Sequence, residues 1–243
     1  MAANNSQPIR YYIAPQVFDH FPGYFRAVVL ARGVANIPSP AELISLLRAA
    51  EEHARRQLDG QDITAHARIS AWREAYRSLG IKPAEYRPSM EAMLRRVLNG
   101  RQLPAINALV DIGNIVSLRH LLPVGGHAID GLQADIALRP AHGREVFIPF
   151  VSGQPEHPEA GEFIFAEADT VLTRRWTWRQ SSHTMTTLDT SDIEFNVDAL
   201  PPVSQADAAA ACREISELTA RFCGGQMSVH VLSRENPSIR LRD

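Results

Sequence analysis

The chain has 243 residues, 45% hydrophobic and 21% charged, with a formal net charge of −2. A chain this long buries roughly 70–75% of its unfolded surface and needs no staple, and its mild negative charge excludes a global attraction for polyanions such as DNA. No apolar run approaches the roughly 20 residues of a membrane span, and Met1 to Gln7 lacks a signal-peptide core. A single domain over 1–243 is expected, or two intertwined subdomains within it.

In chain order, the residues around Pro22-Gly23 are β-branched or aromatic and predict two short strands, 16–21 and 25–31. Ser39-Pro40-Ala41-Glu42 has the form of a capping box with proline at the first helical position. The helix should run to about Leu58, with Leu43, Leu46, Leu47 and Ala50 inward and Asp59-Gly60 as its stop. Thr64 is the expected cap of a second helix, with Ile69, Trp72, Tyr76 and Leu79 on one face and Gly80 closing it. Ser89 should cap a third, in which Met90, Met93, Leu94, Val97 and Leu98 follow at helical spacing and Asn99-Gly100 stops the run. Pro104 suits the first turn of a fourth, with Ile106, Leu109, Val110 and Val116 as its buried stripe. Asn107, Asp111 and Asn114 share its polar face and lead to Gly125-Gly126-His127, read as a glycine turn with Asp130 placed to orient the imidazole. A polar helix face that ends at such a turn marks the candidate site.

After Asp130 the period changes to two. Residues 134–139, 145–151, 162–166, 171–178 and 184–188 read as strands, with a polar turn over 155–161. In the fourth, Arg175-Trp176-Thr177-Trp178-Arg179 would put both tryptophans on one face and both arginines on the other. That pattern fits a core-facing tryptophan pair with a solvated arginine edge, or a stacking platform for a base or aromatic side chain. Ser204 should cap a last long helix with Ala208, Ala211, Cys212, Ile215, Leu218, Thr219 and Phe222 inward, stopped by Gly224-Gly225. A strand over 227–232 and a tail over 234–243 complete the chain. Helices cluster in the first half and strands in the second, so the fold class is α+β, with mixed or antiparallel sheets and helices packed on them.

Cys212 and Cys223 lie about 16 Å apart along the last predicted helix, too far for a mutual disulfide, and read as buried thiols in a reducing cytoplasm. The sequence has no GxSxG elbow, Walker loop, GxGxxG, HExxH or CxxC, and its histidines fall at no ligand spacing. Neither a metal nor a cofactor is therefore expected. Lys82 is the only lysine. The arginine preference fits either genomic base composition or bidentate phosphate contacts. Arg68 to Arg101 carries eight basic and three acidic residues, a local excess that suggests a polyanion partner.

Val110-Asp111-Ile112-Gly113-Asn114, then Gly126-His127-Ala128-Ile129-Asp130-Gly131-Leu132, then Asp135-Ile136-Ala137-Leu138-Arg139-Pro140-Ala141-His142-Gly143 resemble the editing domain of the phenylalanyl-tRNA synthetase beta subunit, the B3/B4 module. Arg87-Pro88-Ser89 with Glu91-Ala92, and Leu103-Pro104 with Ile106-Asn107, are more similar to its free-standing relatives. The resemblance covers roughly Phe21 to Leu232 and implies the α+β fold of that domain. It implies a free-standing aminoacyl-tRNA deacylase that acts on the aminoacylated 3′ end of tRNA by ester hydrolysis, without cofactor. The editing histidine of the family falls on His127 and its amino-acid-contacting asparagine on Asn114, with Gly126 beside the substrate. Arg175 and Arg179 are candidates for phosphate or terminal-adenosine contact. Where the family has a Gly-Gly pair, this chain has Trp178-Arg179-Gln180-Ser181, and Gly125 replaces a proline. The family's tyrosine-reading glutamate falls near Asn196, which implies an amino acid other than tyrosine, smaller or more polar. The alternatives are a non-catalytic tRNA- or amino-acid-binding module that keeps the fold, and a small-molecule hydrolase.

Overall fold

The computed structural model describes residues 8–150 and 153–242, so the expectations for Met1 to Gln7, Val151 and Asp243 lie outside it. The first half contains β1 (Ile9–Ile13), α1 (Pro15–His20), β2 (Phe25–Arg32), α2 (Ala41–Gln57), α3 (Ala67–Ser78), α4 (Ser89–Leu98) and α5 (Ala108–His120). The second contains β3 (Val124–Ala128), β4 (Ile136–Pro140), β5 (Phe163–Glu167), β6 (Thr170–Arg174), β7 (Arg179–Gln180), β8 (Asp192–Ala199), α6 (Gln205–Cys223), β9 (Gln226–Leu232) and β10 (Ser238–Arg242).

The strands form a six-stranded sheet in the order β10-β1-β4-β5-β6-β7 and a four-stranded sheet in the order β3-β8-β2-β9. The β1–β4 pair is parallel, and the other pairs of both sheets are antiparallel. The fold is α+β, with mixed and antiparallel sheets and helices packed on them. Alternation along β8 sends Ile193, Phe195 and Val197 toward α5 and α6, and Glu194, Asn196 and Asp198 toward the first sheet. The second sheet thus has helices on one face and a polar layer, covered by the first sheet, on the other.

Helix α5 is central. Leu109, Ile112, Ile115, Val116 and Leu118 are fully buried, so apolar residues surround it and no single stripe dominates. Asn107 caps it, its side-chain oxygen accepting from the Val110 N–H at 3.1 Å. The helix therefore starts later than expected: Pro104 precedes it, and Ile106 is 56% exposed rather than part of a buried stripe. Helix α6 matches its sequence signals. Ser204 and Asp207 form a reciprocal capping box, and the predicted inward residues are buried except Phe222, which is partly so. Cys212 and Cys223 are buried free thiols.

Several local expectations are corrected. Residues 16–21 are not a strand, because Pro15 opens α1 there and Val17 and Phe18 pack inward. The strand lies just upstream as β1, and the presumed tail supplies its partner β10. Ser39 does not cap α2. Its hydroxyl donates to Asp111 Oδ2 at 2.6 Å, and Pro40 takes the cap position. Thr64 lies in a single 3-10 turn capped by Asp62, and Ser89 is the first residue of α4 after Pro88. Among the described residues of 145–151 only isolated bridges form, and 184–188 has no strand; the missing strand is β8. Gly125-Gly126-His127 is not a turn but the middle of β3. The 171–178 strand ends at Arg174, because Arg175 and Trp176 take positive φ and the chain turns. Alternation fails there. Trp176 is buried, edge-on to Tyr24 and Trp72 at 4.8 and 4.9 Å, while Trp178 stays partly exposed.

Candidate active site

The layer between the sheets is a buried polar network. Arg26 on β2 lies opposite Asp198 on β8 and donates to its Oδ1 at 2.7 Å, with both side chains almost fully enclosed. Arg26 also donates to the Tyr11 hydroxyl at 2.6 Å, and the Tyr24 hydroxyl donates to Asp198. A buried ion pair costs desolvation and holds only when further hydrogen bonds complete it, as these do.

His127 stands at the margin of this layer. Its backbone position on β3 is paired with Glu194 on β8, so both side chains share the inter-sheet face. The imidazole is 2% exposed and edge-on to Phe165 at 5.0 Å. Burial, and then the nearby Arg26, push its pKa down to about 3, so the ring is neutral at ordinary pH. Nδ1 lies 2.6 Å from Thr184 Oγ1 and 3.3 Å from the Gln180 Nε2 donor, which also reaches the Gly126 carbonyl at 2.8 Å. The two N–H bonds of that amide are taken by the Gly126 carbonyl and, at 3.1 Å, the Thr184 carbonyl, so the threonine hydroxyls decide the tautomer: where the Thr184 hydroxyl donates, Nδ1 is the acceptor. The ring proton then sits on Nε2, which is 3.2 Å from Thr173 Oγ1. In that tautomer His127 is a donor on the cavity side.

The cavity beside it has a volume of about 190 Å³, and its walls include His127, Thr173, Trp178, Gln180, Asn196 and Asp198. Asn196 lies opposite Gly125 and depends on it. A β-carbon at Gly125 would stand 2.8 Å from Asn196 Oδ1, a contact that real β-carbons do not make. Asn196 Nδ2 donates to Glu194 Oε1 at 2.9 Å. Burial raises the Glu194 pKa to about 8, and its other oxygen has no hydrogen-bond partner among the described residues. Sequence reasoning placed an amide where a carboxylate was expected and inferred that the carboxylate was lost. Glu194, two residues earlier on the same face, keeps a carboxyl behind Asn196, outside the lining of the cavity.

A second cavity of about 300 Å³ lies on the opposite, helix-side face of β3. Asn114 and Gly126 line it, so two of the expected site residues stand across the strand from His127 and Asn196. The two cavities share Val124, Gly125 and Gln180 and meet over the edge of β3, the outermost strand of its sheet. Arg175 is nearly buried. Its guanidinium lies 3.6 Å from the Tyr86 ring centre and 4.9 Å from that of Trp178. Arg179 is more exposed, 5.0 Å from the Trp178 ring centre and 3.8 Å from Glu156. Asp130 does not orient the imidazole, because its carboxylate accepts from the backbone of Ser191 and Asp192 and from the Ser191 hydroxyl. In the basic segment, Arg73 and Arg95 pair with buried Glu91, and Arg68 pairs with Asp207.

Glu194, Thr184 and Thr173 are the site residues that sequence reasoning missed. The polar positions of Asp192–Ala199 alternate with apolar ones, which is the one signal that could have found Glu194. Nothing in the sequence marks the two threonines. No group of three His, Cys, Asp or Glu side chains is set to hold a metal ion among the described residues, and no helix there is long and apolar enough to cross a membrane.

Two packed sheets leave between them a half-open cavity lined by a histidine, with a glycine pair in the strand beside it. The chain belongs to the B3/4 domain family, whose model matches residues 71–229, as its motifs led us to expect. Among solved structures it is similar to an N-terminal fragment of the phenylalanyl-tRNA synthetase beta-subunit from Pyrococcus horikoshii, at 10% identity and a TM-score of 0.47. That match covers 100% of this chain and 57% of the other, so the chain spans a little over half the length of that fragment. No curated protein sequence matches the chain.

Proposed function

We propose that this chain hydrolyses the ester of mischarged aminoacyl-tRNA, acting in trans on the aminoacylated 3′ end. The observation that carries the proposal is His127: a neutral imidazole, anchored at Nδ1, with Nε2–H on a cavity that also presents Asn196 with the buried Glu194 carboxyl behind it. Water attacks the ester carbonyl carbon and the bond to the ribose oxygen breaks, releasing the amino acid and the terminal hydroxyl. The negative charge that develops on the carbonyl oxygen needs a prepositioned donor, the role assigned to His127. With its pKa pushed down to about 3 and its proton on Nε2, this ring serves as donor rather than general base. Asn114 would contact the substrate from the helix side of β3, next to Gly126. Arg179 on the outer side of Trp178 would meet phosphate, and Arg175 would hold Trp178 in place. Asn196 lines the cavity and its amide can donate as well as accept, so a hydroxyl-bearing amino acid suits the pocket, tyrosine included.

The test is hydrolysis of a panel of purified aminoacyl-tRNAs, with tyrosyl-, seryl- and threonyl-tRNA among them. Faster hydrolysis of one ester than its spontaneous decay supports the proposal. A second reading, a binding module without catalysis, is favoured by one observation: both ring nitrogens of His127 already have protein partners. Saturable binding of the panel with no hydrolysis would select it.

A further inference from the structure

A cavity of about 310 Å³ lies between the loop that joins α3 to α4 and the turn that leads into β5. It shares no lining residue with the His127 cavity. Leu79, Ile81 and Phe163 give it apolar walls, and Arg175 and Glu159 are among its charged groups. We propose that this cavity binds a free α-amino acid with an apolar side chain, its carboxylate on Arg175 and its ammonium on Glu159. The inference is independent of the deacylase reading.

Three features carry it. First, Arg175 is 9% exposed, and its guanidinium makes no hydrogen bond to any described residue. The nearest carboxylate oxygen, Glu162 Oε2, stands 4.0 Å away and already accepts from Arg174 at 2.7 Å. A guanidinium that has left water without gaining an acceptor is costly, and an acceptor from outside the chain completes it. The guanidinium carbon lies 3.6 Å from the Tyr86 ring centre, a face-to-face distance that leaves the N–H edges free. Those edges form a planar fork, which matches a carboxylate in bidentate fashion. Second, the backbone holds this pose against its preference. Arg175 and Trp176 take positive φ, 46° and 65°, which non-glycine residues avoid. The Glu162 carboxylate on the Arg175 N–H and the Tyr76 hydroxyl on its carbonyl offset the strain. Strain of this kind clusters at ligand sites. Third, the charges balance around a zwitterion. Glu162 is paired with Arg174, and Lys82 with Glu85 at 3.3 Å. Among the charged groups of the lining, that leaves Arg175 as a cation and Glu159 as an anion with no ion pair among the described residues. A ligand with one charge of each sign satisfies both, and its side chain meets the apolar walls. A phosphate dianion would face Glu159 with one free cation for two charges.

The test is titration of the intact protein with L-leucine and L-methionine, followed by NMR. L-Leucinamide lacks the carboxylate and 4-methylpentanoate lacks the ammonium, so each tests one half of the recognition. The wild type should bind L-leucine saturably and both analogues about tenfold or more weakly. Arg175→Gln should weaken L-leucine about tenfold or more, and Glu159→Gln, which loses an exposed charge, roughly threefold. Arg175→Gln keeps a side chain at the strained position, and circular dichroism checks its fold. Glu159 is exposed, so its variant leaves the fold intact. His127→Ala, in the other cavity, should bind L-leucine like the wild type. No saturable binding of either amino acid to the wild type would overturn the inference, as would unchanged affinity in both Arg175→Gln and Glu159→Gln. Loss of binding in His127→Ala would place the amino acid in the other cavity, and displacement of L-leucine by inorganic phosphate would reveal a general anion site; either result overturns it too.

Discussion

Replacing Glu194 by glutamine should remove a specific dependence of stability on pH. The Glu194 carboxyl has its pKa raised from 4.5 to about 8 by burial between the sheets. The folded state therefore keeps a proton that the unfolded chain releases between those two values. Stability is full below about pH 4.5 and is lost as pH rises toward 8, at about 1.4 kcal/mol per pH unit. Across the whole window the loss is roughly 5 kcal/mol, comparable to the entire stability of many domains. Glutamine keeps the shape and cannot ionise, so Glu194→Gln lacks this loss. Its amide also lacks a partner where the unpaired carboxyl oxygen lay, which shifts its stability by a constant of roughly 1–3 kcal/mol and leaves the slope untouched. The assay is urea unfolding of wild type and Glu194→Gln at intervals between pH 5 and 8.5. The stability difference between them should slope by about one proton over that range. A difference that stays flat would mean that Glu194 is ionised in the fold, and the assignment of a neutral carboxyl would be wrong.

Other parts of the account are tested as follows. Asn107→Ala removes the α5 cap and the hydrogen bond from Asn107 Nδ2 to the Thr186 carbonyl, and should lower stability in urea unfolding by about 2 kcal/mol. Gly125→Ala should push Asn196 out of place, lowering hydrolysis by roughly tenfold or more in a single-turnover assay, and the thermal midpoint should fall as well because the displaced amide gives up its bond to buried Glu194. Burial pushes the thiols of Cys212 and Cys223 up to about 12 and about 11. Iodoacetamide at neutral pH should therefore leave the native protein unmodified, and mass spectrometry should find two adducts only after denaturation.

How much of this was legible in the sequence depends on the element. Helix α6 was, because Ser204 and Asp207 cap it and one apolar stripe packs on the sheet. His127 was proposed from its glycine neighbours and from the family motifs Val110 to Asn114 and Gly126 to Asp130, while its partners Thr184 and Thr173 left no mark in the sequence. Strand β8 alternates as a strand should, but Asp192, Glu194, Asn196 and Asp198 are residues that strands disfavour, so the segment was given no element. Their burial against Arg26 and Tyr24 is a tertiary fact. The turn at Arg175 and Trp176 had no signal, since non-glycine residues rarely take positive φ. Val17, Phe18 and Phe21 fit either a helix or a strand, and Pro15 decided for the helix.

The central claim is that His127 acts on an aminoacyl ester in the cavity between the sheets. The most direct measurement is single-turnover deacylation of the best aminoacyl-tRNA of the panel by wild type and His127→Ala, alongside the affinity of each protein for that tRNA. The account predicts that the variant binds with nearly unchanged affinity and hydrolyses on the order of a hundredfold more slowly, the cost of losing one oxyanion donor. Equal hydrolysis rates for the two proteins would contradict it.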